Sequence, residues 1–441
     1  MTETMESGAS ATRFGLGRNV LISLSFTGVM LALSMISSIV VARVGGPEAR
    51  GLYSFAQSLY GPITPIATLG LGFATTYYLG AGHRAKELLG LNFAAAGGVF
   101  ILGVAIGGGL LLAEGGLPQS TLGLVVLALC AGLWSLVFNN HASGYFLGQE
   151  RIAADNLVRV STLAVFILMT LVLLPMHRDG VLVALVLSHW LPTTVLAAIQ
   201  WREVGLPKWP KRALRKLYVT YGIRASAGRT GDFLLLRIDT ILLAFLVDLP
   251  ALGLYAIADQ LANVMTLGST VIGRMMFAQS AQDPDGEESR RKLGILIRLL
   301  LPITIAITIL ALSSFWFLIP LLYSDAFTAS YSAFVLISPV ITFRAVTAQF
   351  AMYLTGQDEQ RPVILASIWG VVAQAALLVI LVSALGWRGA AISKVIAYFL
   401  QFVIVYRAYR RLTPAHERVQ WLATKEDFRF LVRWIQRHLP R

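Results

Sequence analysis

Long apolar runs, each bounded by basic or turn-forming residues, follow one another along almost the whole chain. A helix needs about 20 apolar residues to cross the hydrocarbon core of a bilayer. Laid along the sequence, that ruler places spans near 20–43, 51–79, 90–113, 121–147, 157–176 and 181–201, then near 221–247, 253–278, 293–318, 331–355, 362–385 and 389–409. The pattern predicts an all-α polytopic membrane protein with twelve transmembrane helices. The first run is too long for the core of a cleaved signal peptide and lacks a small-x-small cleavage site, so it is read as a span.

Lysines and arginines between the runs set the expected orientation. One set of connecting segments holds Arg13 and Arg18, Arg84 and Lys86, Arg151, the cluster from Arg202 to Lys216, Arg290 to Lys292, Arg361 and the tail from Arg407. The opposite set holds Arg43, Arg50, Arg178 and Arg388. Both termini are therefore expected in the cytoplasm. The expected divisions are an N-terminus at 1–18, a six-helix lobe at 19–201, a basic linker with Pro207 and Pro210 at 202–220, a second six-helix lobe at 221–410 and a tail at 411–441. In the tail, Phe428, Leu431, Trp434 or Ile435, and Leu439 share a helical face that Arg429, Arg433 and Arg437 avoid, which predicts an interfacial helix held by anionic lipids. A frayed basic tail is the plainer alternative.

The two lobes repeat one another. Gly51-Leu52-Tyr53 opens the second run and Gly253-Leu254-Tyr255 the eighth, and five of the nine positions counted from Gly51 and Gly253 are identical. Tyr145-Phe146-Leu147-Gly148-Gln149 leaves the fourth run as Tyr353-Leu354-Thr355-Gly356-Gln357 leaves the tenth. The offset corresponds to six helices, an even number, so the lobes are expected to be parallel repeats with a site between them, as in many transporters. Gly51, Tyr53, Gly253 and Tyr255 are read as structural repeat positions. Aligned by the repeat, Arg43 falls opposite Phe245, so the scaffold occurs twice and this charge once.

Composition sharpens the class. The chain is 56% hydrophobic and 13% charged, with mean hydropathy +0.70, whereas soluble domains carry about 25% charged residues. A net charge of +13 points to nucleic acid in a soluble protein; here the basic residues sit in short loops, as membrane anchoring predicts, and no nucleic-acid partner is expected. A single cysteine, Cys130, excludes an intrachain disulfide and a cysteine metal cluster. Short loops leave no aqueous domain for the acid–base pair of a glycosyltransferase, polymerase or ligase. No nucleophile elbow, P-loop or dinucleotide fingerprint stands in a supporting strand–turn–helix context. No catalytic residue, metal site or cofactor is expected, and the chain is read as not an enzyme.

Charges inside spans cost about 2.5–3.5 kcal/mol each at a helix centre, so each needs a cavity, a partner or an interface. The seventh run carries Arg224, Arg229, Asp232, Arg237 and Asp239. Arg229 and Asp232 are spaced to pair along one face, whereas Arg237 and Asp239 must find partners elsewhere. Arg274, Arg298, Arg344, Lys394 and Asp259 lie in later runs. The basic excess favours an anion, and the planar fork of arginine suits phosphate or diphosphate. Arg224, Arg274, Arg298 and Lys394 lie near run ends and are read as snorkelling to the interface. Arg237, near mid-run, is the strongest cavity residue, and Arg43 is intermediate. Asp232, Asp239 and Asp259 are read as carriers of a proton or sodium ion, or as partners of the arginines. Pro62, Pro65, Pro302 and Pro339 permit kinks, either mobile or static. Asn139, Asn140, His141 and His189 are read as polar contacts between helices.

With these residues in view, the chain resembles a polysaccharide-export flippase of the multidrug/oligosaccharidyl-lipid/polysaccharide (MOP) superfamily, the Wzx-type O-antigen flippases. The likeness rests on Val41-Ala42-Arg43-Val44-Gly45-Gly46-Pro47-Glu48 leading into Gly51-Leu52-Tyr53, on Gly148-Gln149-Glu150-Arg151, and on Arg237-Ile238-Asp239 followed by Gly253-Leu254-Tyr255. It implies a MATE-like fold of two six-helix lobes around a cavity. It also implies alternating-access transfer of undecaprenyl-diphosphate-linked oligosaccharide across the bacterial inner membrane, in concert with a polysaccharide polymerase and a chain-length regulator. Arg43 matches the position of a cavity arginine in the related lipid II flippases. The diphosphate-binding set on this reading is Arg43, Arg224, Arg229, Arg237 and Arg344; energy coupling stays open between a proton or sodium gradient carried by the aspartates and arginines that act without any ion. The chain departs from the lipid II branch in lacking its arginine-rich second helix and in having twelve spans, which argues against peptidoglycan precursor as cargo. A drug/cation antiporter of the same superfamily is the alternative, weakened by the absence of Asp and Glu from residues 19–45. A membrane polysaccharide polymerase or ligase is a further one.

Overall fold

The computed structural model describes residues 3–206, 208–283 and 286–421, with the side chains at 3–24, 174, 227–232, 235, 271, 274 and 278 outside that description. The amphipathic helix expected at 425–439 lies outside the described residues, as do the side chains of Arg229, Asp232 and Arg274. Every regular element among the described residues is helical. In chain order these are α1 (Glu3–Ala67), α2 (Leu71–Gly80), α3 (Ala85–Glu114), α4 (Thr121–Gly148), α5 (Ile152–Val172), α6 (His177–Val204) and α7 (Arg212–Leu246). There follow α8 (Leu249–Met265), α9 (Leu267–Ala281), α10 (Glu287–Tyr323), α11 (Ser330–Ile337), α12 (Pro339–Gly356), α13 (Arg361–Leu385) and α14 (Trp387–Leu412).

Each of the twelve apolar runs falls on helix, but fewer stretches meet the length and hydropathy needed to cross a membrane. Among the described residues there are nine, or ten when the bent pair α8 and α9 is read as one span. The difference has two sources. The first two runs share α1, whose helical path breaks at Gly46 with φ 66° and ψ −167°, a backbone state open to glycine and strained for residues with a Cβ. The other source is α7, whose charges interrupt its apolar length. Breaks between α1 and α2, at Thr266, and at Ser338 before Pro339 divide the second, eighth and tenth runs. Two helix starts are capped by side chains: Ser120 accepts from the Gly123 amide at 3.1 Å, and Asp248 from the Ala251 amide at 3.0 Å.

The chain packs as two units, Met1–Arg237 and Ile238–Arg441. The division falls inside α7, beyond the expected linker, because the first part of α7 packs into the first unit. Tyr218 joins Leu71, Ala74, Leu88 and Leu91 in one apolar cluster, and its hydroxyl donates to Asn92 Oδ1 at 3.0 Å.

The core of the first unit gathers Leu89, Val137, Phe138, Tyr145, Phe146 and Leu196. In the second it gathers Leu293, Ile297, Phe350, Tyr353, Leu354 and Tyr409. Lipid supplies no hydrophobic drive between spanning helices, so small residues and polar contacts carry the association. Gly144 on α4 lies so close to α2 that a Cβ there would fall on the Gly72 backbone. The second repeated motif serves each unit alike. Tyr145 donates to Glu203 at 2.9 Å beside the Arg151–Glu203 ion pair at 2.8 Å, and Tyr353 bonds Arg290, which pairs with Glu417.

Candidate functional site

A cavity of about 480 Å³ opens in the first unit. Its walls come from α1 beyond Gly46, α2, α4, α5, α6 and the first part of α7. Pro65 and Thr64 bring α1 to the cavity, and Gly61 leaves room on that helix for Phe233 and Arg237. Tyr60 stacks on His189 with ring centroids 5.9 Å apart and donates to the Ala128 carbonyl at 3.0 Å. Gln57, Asn140, Ser143 and His189 supply polar atoms, so residues that read in the sequence as contacts between helices line a space.

Two arginines face this cavity. Arg237 comes from α7 and is half-buried. Arg159 comes from α5; its Nε donates to Asp155 Oδ2 at 3.2 Å and its Nη2 to Ser143 Oγ at 3.0 Å. Asp155 neutralises Arg159, whereas Arg237 stands as the net positive charge among the described residues of the lining. Among the described members of the expected diphosphate set, Arg237 alone lines this cavity. Arg43 is exposed on α1 ahead of Gly46, and Arg224 is exposed on α7.

Arg344 belongs to the second unit. It donates to Asn263 Oδ1, and Asn263 Nδ2 donates to Asp259 Oδ2 at 2.9 Å. Lys394 then bridges Asp259 Oδ1 at 2.5 Å and Asp239 Oδ2 at 2.6 Å, and the Tyr255 hydroxyl donates to Asp239. Four helices, α7, α8, α12 and α14, are tied by this relay. Lys394 is 1% exposed, which overturns its reading as a snorkelling residue. Two carboxylates hold the ammonium inside, because a buried charge without a partner is far more unfavourable than one in an ion pair.

The same unit carries a larger recess of about 690 Å³, between the start of α10 and the segment 416–420. Arg290, Arg291, Arg298 and Arg418 line it together with Asp283, Glu287, Glu288 and Glu417. The Ser289 amide donates to Asp283 at 2.7 Å and holds that carboxyl below its usual range. The lining of this recess balances four arginines against four carboxylates, unlike the first cavity, where Arg237 faces no described carboxylate of its own. No group of three or more His, Cys, Asp or Glu able to hold a metal occurs among the described residues.

Three participants escape the sequence reading. Arg159 and Asp155 are spaced i,i+4 at the start of an apolar run, a legible signal of a pair held in the membrane. Arg50 was placed in a loop, yet it is 4% exposed, with its guanidinium 5.3 Å from the Tyr53 ring.

A profile of the family described as polysaccharide biosynthesis protein matches residues 16–277. The chain belongs to this polysaccharide biosynthesis family. No curated protein matches it in sequence. Among solved structures, the family member resembles an inward-facing multidrug resistance MATE transporter of the MOP superfamily, with TM-score 0.70, 18% identity, and 87% of this chain and 94% of the other covered. It also resembles the lipid II flippase MurJ in an inward closed conformation, with TM-score 0.71, 10% identity, and 96% and 94% covered. The Vibrio cholerae MATE transporter VcmN gives TM-score 0.56, 15% identity, and 92% and 98% covered. At these identities the likeness is one of fold, and this polysaccharide biosynthesis protein is a multi-pass membrane protein with the MOP fold.

Proposed function

We propose that the protein is a flippase for undecaprenyl-diphosphate-linked oligosaccharide, carrying repeat units across a bacterial inner membrane by alternating access. The observation that carries this reading is Arg237 lining a polar cavity. A guanidinium there suits the diphosphate, and the amide, hydroxyl and imidazole groups around it suit hydroxylated cargo. Family membership supplies the polysaccharide context.

The test is complementation of an export-deficient bacterial strain. Arg237→Gln is expected to lower surface polysaccharide about tenfold or more at unchanged protein level, the scale of one lost charged hydrogen bond. Full export by a well-expressed Arg237→Gln protein rules out the assigned role. Extrusion of a cationic dye without any polysaccharide export would favour the drug/cation antiporter instead.

A further inference from the structure

Beside the main cavity, and sharing Asn140, Ser143, Arg159 and His189 with it, lies a smaller polar recess of about 220 Å³ between α4, α5 and α6. Asp155 lines it from the first turn of α5 and is 5% exposed. One carboxylate oxygen, Oδ2, takes Arg159; the other, Oδ1, is buried and has no hydrogen-bond partner among the described residues. A buried carboxylate oxygen is rarely left unpaired, since its desolvation is then uncompensated. Among the described residues Arg159 uses its Nε and Nη2 but not its Nη1, and the Asn140 amide makes no hydrogen bond, so donors and acceptors line one small space.

We propose that this recess is a saccharide subsite that takes one uncharged sugar ring of the cargo, with Asp155 Oδ1 accepting from a ring hydroxyl and Arg159 and Asn140 donating to its neighbours. The inference rests on the flippase reading and deepens it. Charge decides the class of sugar. The Asp155–Arg159 pair sums to zero, so a uronate would find its one cation already matched, whereas vicinal hydroxyls fit an acceptor beside two donors. Position agrees as well: Asp155 and Arg159 sit within two turns of the end of α5 that the loop charges place on the cytoplasmic side, where cargo is loaded. Diphosphate at Arg237 and sugar in the recess then divide recognition between a constant part and a variable part.

The experiment measures affinities of the purified full chain in lipid nanodiscs for four probes. These are bare undecaprenyl diphosphate and the same lipid bearing one glucose, one N-acetylglucosamine or one glucuronate. The wild type is expected to bind a neutral-sugar probe about tenfold tighter than the bare lipid, as one or two buried hydrogen bonds to charged groups allow. Asp155→Asn and Arg159→Gln each bring that ratio close to one, and the milder Ser143→Ala lowers it in part. Arg237→Gln weakens all probes alike and preserves the ratio. Thermal melting of each variant separates misfolding from lost recognition; should Asp155→Asn fail to fold, Arg159→Gln and Ser143→Ala decide. An unchanged ratio in the folded variants, a wild-type ratio near one, or a preference for glucuronate overturns the subsite and leaves the lipid-diphosphate reading standing. Failure of the wild type to bind any probe overturns the flippase reading, and the subsite with it.

Discussion

Arg43 and Arg50 stand two turns apart on α1, on either side of the Gly46 break, and meet opposite environments. Arg43 is exposed, whereas Arg50 is buried against Tyr53. Burial follows from the repeat: the Gly-Leu-Tyr turn that begins at Gly51 must pack inward, and it takes the preceding residue with it. Arg50→Ala removes a packed stem and a cation beside an aromatic face, and is expected to destabilise the protein by about 1–3 kcal/mol. Arg43→Ala is expected to stay within about 0.5 kcal/mol of wild type, as exposed substitutions do. Thermal unfolding of the two variants in detergent compares them directly. Equal destabilisation would contradict the burial difference. With Arg43→Ala stable, any loss of export by that variant reports on cargo rather than on folding.

Among the elements, α7 concentrates the charges, and its partners determine what they do. Asp239 and Asp259, on α7 and α8, share the one ammonium of Lys394 from α14. Lys394→Ala would leave two carboxylates facing each other in a dry site and is expected to destabilise the second unit by about 3–5 kcal/mol. Replacing all three groups by apolar residues of like volume is expected to restore most of that loss, because the desolvation penalty disappears with the charges. Recovery measured by thermal unfolding checks the pair; a triple variant weaker than Lys394→Ala would refute it. Where α2 meets α4, Gly144→Val would drive a side chain into the Gly72 backbone and is expected to cost about 1–3 kcal/mol or more. The helices themselves were legible, since the bilayer thickness imposes a length that apolar runs display directly. Their breaks were less so: Gly46, Gly70 and Pro339 carry a local signal, whereas Thr266 carries none. Arg237 could be singled out because its depth in the run forbids an easy exit to water. Lys394 could not, because its partners lie 135 and 155 residues away in sequence. Arg159 and Asp155 were visible as a spacing, but their recess is made by α4 and α6 and exists only in three dimensions.

At the scale of the molecule, the repeat shows how one scaffold was given two electrostatic characters. In the first unit Ser37 and Gln57 reach the Tyr53 hydroxyl, with Gln57 Nε2 at 2.6 Å. At the matching positions of the second unit, Asp239 and Asp259 surround Tyr255 and Lys394 joins them. The neutral trio lies beside the cavity that Arg237 lines; the charged trio ties helices that any rearrangement of the second unit must move together. The charged trio sets two carboxylates against one buried ammonium. Its ammonium meanwhile occupies the place a metal cation would take. Reconstituted in liposomes, and on the proposed flippase reading, the wild type is therefore expected to translocate cargo equally in sodium and potassium media. Lys394→Ala, where it folds, is expected to gain a dependence on sodium that the wild type lacks, because the vacated pair of carboxylates can then take an ion from solution. A wild-type requirement for sodium would mean that the internal ammonium does not serve as the resident cation, and the charged trio would then be a structural tie alone.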